Sequence, residues 1–294
     1  MKVLNFGSLN LDYVYSVPHI VKPGETMTSN KLEVFPGGKG LNQSIALARA
    51  GMDVYQAGAI GEDGKDLLQV CKENNVNTDF IRISPLRTGN AIIQVDEEGQ
   101  NSIILFPGAN RDQNKEFIDH VIDNFSAGDV IVLQNEINLI DYIIDRAYSK
   151  GMIIVLNPSP YDDKIKNCDL SKVDYFLMNE IEGEMITGES DPDEILSYML
   201  TKYPNSKVVL TLGKMGSVYA DKSKKCKQGI YPVKAVDTTA AGDTFTGYFL
   251  RYVFIGESVE KALDMASLAS SIAVSRKGAS VSIPYNDELL NIQM

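Results

Sequence analysis

The sequence predicts an α/β fold: a three-layer core, with a mainly parallel sheet between two layers of helices, and a small β-sheet lid beside it. Three observations carry this. From Asp112 onward, short apolar runs of strand length alternate with helix-periodic segments, the pattern of right-handed βαβ units. Two stretches of small and polar residues, 36–43 and 237–244, each lead into a helix-periodic run. The β-rich runs 89–95 and 102–106, joined by the polar turn 96–100, read as a hairpin outside the main alternation. A chain of 294 residues with 44% hydrophobic and 23% charged residues is long enough to bury one large core. It contains no linker, repeat or low-complexity tract, so a single domain over 1–294 is expected.

Taken in order, 2–7 is a short buried strand ending in a Gly-Ser turn. Asn10-Leu11-Asp12 follows as a polar group beyond the strand's C-terminal end, where open α/β sheets bind ligands. Asn and Asp there suit a polyol, although taken alone they read first as a plain Asx-turn. Residues 31–35 alternate weakly, as an edge strand does, and 36–43 is a glycine-rich loop before a helix over 44–50 that stops at Gly51. A strand over 53–60 and a helix through Asn74 come next. The hairpin and the edge strand are expected to form the lid, from roughly 12–36 and 89–106, which covers a pocket or serves as an association surface. Further strands are read at 129–133, 152–156, 174–178 and 207–212, and helices at 138–149, 180–186, 191–203 and 258–275.

With 28 Lys and Arg against 39 Asp and Glu, the formal net charge is −11, which argues against nucleic acid or an anionic membrane as the main partner. Cys71, Cys168 and Cys226 are scattered, and His19 lies far from His120. Neither a disulfide framework nor a zinc site is expected, and the cytosol is the expected compartment. The N-terminus is too short and polar for a signal peptide, and no apolar run approaches a membrane span.

The most informative stretch is 236–247. It passes through Ala240, Ala241 and Gly242 into the apolar helical run Phe245, Tyr248, Phe249, Tyr252, Val253. Unpaired first-turn N–H groups and about half a positive charge at a helix N-terminus make a place for an oxyanion. Asp243 there reads either as a base taking a proton from a hydroxyl while the anion is held, or as an ordinary N-cap. In 36–43, Lys39 suits phosphate charge and Asn42 a hydroxyl; the loop is neither a Walker A nor a Rossmann fingerprint. Polar groups also follow three strands: Gln134-Asn135-Glu136, Asn179-Glu180-Ile181-Glu182, and Thr211 to Gly216. Each alone reads as a loop or cap; together they outline a crevice.

These motifs, with Gly7-Ser8-Leu9-Asn10-Leu11-Asp12, Gly37-Gly38-Lys39-Gly40-Leu41-Asn42-Gln43, Asp237-Thr238-Thr239-Ala240-Ala241-Gly242-Asp243 and Ser275-Arg276-Lys277-Gly278-Ala279, resemble the ribokinase-like (PfkB-type) sugar kinases over nearly the whole chain. The resemblance implies an ATP-dependent kinase of a sugar's primary hydroxyl, ribose first. Asp243 would be the base, Ala240, Ala241 and Gly242 the anion hole, and Lys39 the phosphate counter-charge. Asn10, Asp12, Gly38, Lys39, Asn42 and Glu136 would hold the sugar. Asn179, Thr211, Gly213 and Gly216 would line the ATP site, and Glu182 would help hold hydrated magnesium. Asp237, Thr239, Ala273, Arg276, Gly278 and Ser282 would hold a monovalent cation, potassium in this family, partly through backbone carbonyls. A homodimer through the lid is implied as well.

Two positions depart from the family's pattern. Ser267 stands where many relatives carry Asn or His near the adenine, and Asn90 is more polar than the usual aliphatic lid residue, which bears on the choice of sugar. The competing expectations are a kinase of another sugar or of a nucleoside, or a sugar-sensing regulator that kept the fold and lost catalysis. A phosphorylated substrate would need Arg87 or Arg111 in the pocket.

Overall fold

A computed structural model describes residues 1–293. Along the chain come β1 (Val3–Phe6), β2 (Asn10–Ser16), β3 (Lys31–Gly37), α1 (Lys39–Arg49), β4 (Val54–Ile60), α2 (Asp66–Glu73), β5 (Val76–Ile83), β6 (Gly89–Val95) and β7 (Asn101–Phe106). Then follow α3 (Lys115–Asp123), β8 (Val130–Gln134), α4 (Ile140–Lys150), β9 (Ile153–Asn157), β10 (Tyr175–Asn179), α5 (Glu180–Thr187) and α6 (Pro192–Lys202). The last elements are β11 (Lys207–Thr211), β12 (Ser217–Ala220), β13 (Lys225–Gln228), α7 (Ala241–Phe254), α8 (Val259–Val274) and α9 (Asn286–Gln293).

The large sheet has the order β13-β12-β11-β10-β9-β8-β1-β4-β5. Every pairing from β11 to β5 is parallel; β12 and β13 add an antiparallel edge. Parallel strands covered on both faces read as continuous apolar runs, and β8 shows why. Val130 and Val132 enter one core with residues of α1, α7 and α8, while Ile131 and Leu133 enter the other with residues of α3, α4 and α6. The three layers are those expected.

The small sheet has the order β3-β2-β6-β7; β2 lies between the edge strand and the hairpin, antiparallel to β3 and parallel to β6. Asn10 and Asp12 therefore belong to a strand, not to a turn. Three further strands escaped the sequence reading. β5 is a partly exposed sheet edge without clean alternation, and β12 and β13 are only four residues each.

α1 begins at Lys39, not near 44. Gly38 adopts φ 92°, which turns the chain directly into the helix. The expected later start came from the first apolar-periodic residue. Asn42, Gln43 and Ser44 precede that residue and are all buried, so the helix's first turn faces a polar interior. Among the described residues, no helix is long and apolar enough to cross a membrane. The lid carries Leu32, Val34, Ile103, Ile104 and Phe106 exposed to solvent.

Candidate active site

Ala240 is left-handed, with φ 61° and ψ 8°, and swings the chain into α7. Thr244 Oγ1 donates to the Ala240 carbonyl at 2.8 Å and Ser270 Oγ to the Ala241 carbonyl at 3.1 Å, which fixes that corner. No side chain caps the helix. Among the described residues, the amides of Ala240, Gly242 and Asp243 have no acceptor, whereas Ala241 N lies 3.3 Å from Thr238 O. A Cβ built on Gly242 would meet nothing within 4 Å. This is an open helix N-terminus with room for an oxyanion.

Asp243 is not the cap of this helix. Its carboxylate accepts from Asn42 Nδ2 at 3.2 Å and from Gln43 Nε2 at 2.9 Å, and the residue is only 7% exposed. Both donors come from α1, so the starts of the two helices are tied together by one acid. Asn42 Oδ1 is buried without a partner among the described residues, an acceptor of the kind that a substrate hydroxyl would satisfy.

The start of α1 is built differently. Gly40 lies against the β1 turn, where an added Cβ would come within 2.4 Å of Ser8 N. The Lys39 amide donates to Glu136 Oε2 at 3.1 Å and the Gly40 amide to Ser8 Oγ at 3.2 Å, while Ser8 Oγ itself donates to Glu136. Burial alone would lower the Lys39 ammonium's pKa; the charges of Asp243, Glu136 and Glu182 outweigh it and raise the pKa above the ordinary value. Asp12 is pushed up to about 7, first by burial and then by the Glu136 charge. Asn10 Oδ1 accepts from Asn110 Nδ2 at 2.7 Å, and Gly38 packs on Ser8 and the Asn10 amide. The sugar-side set expected from the sequence is thus one cluster.

Asn179 and Thr211 are register partners at the ends of β10 and β11. Gly213 and Gly216 shape the tight turn after β11, closed by Leu212 N donating to Gly216 O at 2.8 Å. Asn179 and Glu182 form a capping box: Glu182 N donates to Asn179 Oδ1 at 2.8 Å and Asn179 N to Glu182 Oε2 at 3.0 Å. That arrangement leaves Glu182 Oε1 without a hydrogen-bond partner among the described residues.

Asp237 joins the expected cation residues to α7. Its Oδ1 accepts from Thr239 N at 2.9 Å and its Oδ2 from Gly278 N at 3.0 Å. Burial pushes its carboxyl pKa up, but these hydrogen bonds hold it below the ordinary value. Ala273, Arg276 and Ser282 share this corner but bond locally. Arg276 N donates to Ala273 O at 3.0 Å, the Arg276 guanidinium pairs with Glu288, and Ser282 Oγ donates to Ala279 O at 2.7 Å.

The sequence gives Ser8, Asn110 and Gln43 no role of their own, although Ser8 and Gln43 stand inside two of the motifs named above. Asn5 and Gln134 are the better clue, since each is an amide inside an otherwise apolar strand run. Arg87 pairs with Asp63 at 3.2 Å. Ser267 is buried on α8, and Asn90 Nδ2 donates to Thr88 O at 3.3 Å.

Comparison with known proteins gives a consistent result. The pattern of the pfkB family carbohydrate kinases matches residues 1–286. The ribokinase of Haemophilus influenzae is 35% identical over 296 residues, covering 97% of this chain and 95% of that one. The crystal structure of a ribokinase from Thermotoga maritima superposes with a TM-score of 0.89 at 32% identity, over 100% of this chain and 99% of that one. The Arabidopsis thaliana ribokinase complexed with ribose and ATP gives a TM-score of 0.86 at 27% identity, over 99% of this chain and 98% of that one.

Proposed function

This chain belongs to the pfkB family of carbohydrate kinases and is an ATP-dependent phosphotransferase with an alcohol acceptor; from that premise we propose that its acceptor is D-ribose, phosphorylated on the primary hydroxyl to ribose 5-phosphate. The single observation that carries the assignment of roles is Asp243. It is a buried carboxylate held by Asn42 and Gln43 beside an uncapped helix N-terminus.

Phosphoryl transfer asks a protein mainly for positioning and charge stabilisation. Asn10, Asp12, Gly38, Asn42 and Glu136 hold the sugar, with Asn42 Oδ1 accepting a sugar hydroxyl. Asp243 takes the proton as the hydroxyl attacks the γ-phosphorus. The unpaired amides at Ala240, Gly242 and Asp243 bind the charge that develops on the phosphoryl oxygens, with Ala241 completing the turn. Lys39, whose ammonium is stabilised by three carboxylates, draws the phosphates toward the sugar. Asn179, Thr211, Gly213 and Gly216 line the nucleotide side.

The donors present also fit the expected ions. Hydrated magnesium needs only one or two protein carboxylates beside the phosphates; Glu182 Oε1 is available for it, and bound magnesium would neutralise β- and γ-phosphate charge. Asp237, Thr239 and the oxygen-rich segment from Ala273 to Ser282 are a hard-donor set for potassium, with Arg276 and Gly278 contributing main chain. Asp237 already bridges Thr239 and Gly278, so an ion there would stiffen the turn that presents the anion-binding amides. The exposed apolar side chains of the lid suit a second copy of the chain, giving a homodimer. The free thiols of Cys71, Cys168 and Cys226 suit the cytoplasm.

The test is ADP release with magnesium-ATP and a panel of pentoses, hexoses and nucleosides, with potassium exchanged for sodium. Turnover on D-ribose that rises with potassium is expected. Turnover on another sugar alone would overturn the acceptor, and tight sugar binding without any ADP would overturn the base.

A further inference from the structure

We infer that Gln43 is a positioning residue for Asp243, locked in one amide orientation by a chain of buried amides that ends on the backbone just after β1 and in β4. This rests on the reading of Asp243 as the base. A glutamine amide has nearly the same shape either way round, and only its hydrogen bonds tell the ends apart. Here those bonds leave one solution. At the far end, the Gly7 and Ala57 carbonyls can only accept, so Gln56 must turn its NH₂ to them, at 3.0 and 2.8 Å. Gln56 Oε1 then faces Asn5, whose NH₂ also donates to the Gly40 carbonyl at 2.6 Å. Asn5 Oδ1 is left to accept from Gln134 Nε2 at 2.9 Å, and the same NH₂ donates to Gln43 Oε1 at 2.6 Å. Only the NH₂ of Gln43 remains for Asp243, and it donates to Oδ1 at 2.9 Å.

Asn5, Gln43, Gln56 and Gln134 are each 0% exposed. An apolar side chain would fill the same space between sheet and helix without needing any of these partners, and Gln134 Oε1 has none among the described residues. What the chain secures is direction. A flipped Gln43 would set its carbonyl oxygen against a carboxylate. Asn42, the other donor to Asp243, also faces the proposed sugar; Gln43 has no exposed surface and serves the carboxylate alone. Gln43 therefore fixes the plane of the base before either substrate arrives.

The test is a double-mutant cycle on turnover. Gln43→Met keeps the length and removes the donor. kcat is expected to fall roughly tenfold to a hundredfold, as for loss of a hydrogen bond to a charged group, with the sugar KM within about threefold of the parent. In an Asp243→Asn background, where kcat is already down by about 10²–10⁴, adding Gln43→Met is expected to change nothing further, because both act through one group. An unchanged kcat in Gln43→Met, or a loss that multiplies in the Asp243→Asn background, overturns the inference. If Asp243→Asn turns over at the parent rate, the base reading and the inference fall together; if it is slow while Gln43→Met is normal, the inference falls alone. Should Gln43→Met fail to fold, Gln134→Met leaves Gln43 in place and removes the donor that orients it. A smaller loss in kcat at unchanged sugar KM is expected there, and parent-like turnover overturns the inference.

Discussion

Two helix N-termini meet in this site, and the chain treats them in opposite ways. The start of α1 is filled from within: Glu136 and Ser8 accept from its first amides, and Gly40 is pressed against the β1 turn. The start of α7 is left open, with no cap, unpaired amides and free space over Gly242. Both ends carry the same partial positive charge. At α1 that charge holds the protein's own carboxylate, which then acts on Lys39 and Asp12. At α7 the one first-turn carboxylate, Asp243, is turned to Asn42 and Gln43, and among the described residues nothing accepts from the amides of Ala240, Gly242 and Asp243, so this end is the one able to take a substrate phosphoryl group. Helix geometry alone does not make an anion site; first-turn amides left without an internal acceptor do.

The strongest way to break this contrast is to close the open end. Gly242→Asp puts a carboxylate where the phosphoryl oxygens are proposed to sit. Since a Cβ there meets no atom, the fold should survive. kcat is expected to fall by about 10²–10³-fold, the size of losing an oxyanion-hole donor, while sugar binding persists. ADP release and sugar titration on the same preparation check it; parent-like turnover would mean that the phosphoryl group does not use this terminus.

A second comparison uses one substitution at both ends and reads stability. Gly40→Ala drives a Cβ to 2.4 Å from Ser8 N and 2.5 Å from Gly7 C, both main-chain atoms that cannot step aside. A destabilisation of about 1–3 kcal/mol is expected from that overpacking, partly offset by alanine's helix propensity. Gly242→Ala meets no neighbour, and its stability should stay within about 0.5 kcal/mol of the parent. Urea unfolding of the two variants decides it, and equal midpoints would remove the distinction between a filled and an open end.

The contrast explains what was legible in the sequence. Strand–helix alternation gave the three layers because buried parallel strands are uniformly apolar, as 130–133 are. The two small-residue loops were visible because close backbone approach and an open helix end both call for residues without bulk. What the sequence could not distinguish was which loop was packed shut and which was open, since Gly40 and Gly242 look alike until their neighbours are known. The sequence places the start of α1 too late because the helix buries Asn42 and Gln43 near its start, and hydrophobic periodicity is blind to a polar interior. The start of β2 reads as a turn because Asn10 and Asp12 are turn-forming residues in isolation; their pairing with Gly37, Phe35, Gly89 and Ala91 is long-range. Gln43 could not be separated from Asn42 beside it, because its partners Gln134, Asn5 and Gln56 are distant along the chain.

The last comparison concerns what the filled end does to its neighbour. Asp12 lies against Gly37, where an added Cβ would fall 2.0 Å from Asp12 Oδ2, and it faces the charge of Glu136. Burial first, and Glu136 second, raise its pKa from 3.8 to about 7. In the unfolded chain this carboxyl ionises near its ordinary value, so between about pH 4 and pH 7 the native state binds more protons than the unfolded one. Stability therefore falls with rising pH across that window on account of Asp12, and the contribution is flat above it. Other carboxylates held below their ordinary range, such as Asp237 and Glu288, slope the opposite way at lower pH, so the comparison must be made against a variant. Asp12→Asn is expected to gain melting temperature relative to the parent as pH rises from about 4 to about 7, with the difference constant beyond. In a Glu136→Gln background the same gain should end at a lower pH, because the repelling charge is gone. Thermal melts of the four proteins across that range make the test. Parallel curves for parent and Asp12→Asn would show that Asp12 ionises near its ordinary value in the native state, and an end point unmoved by Glu136→Gln would show that the carboxylate filling the α1 terminus exerts no field on the sugar side.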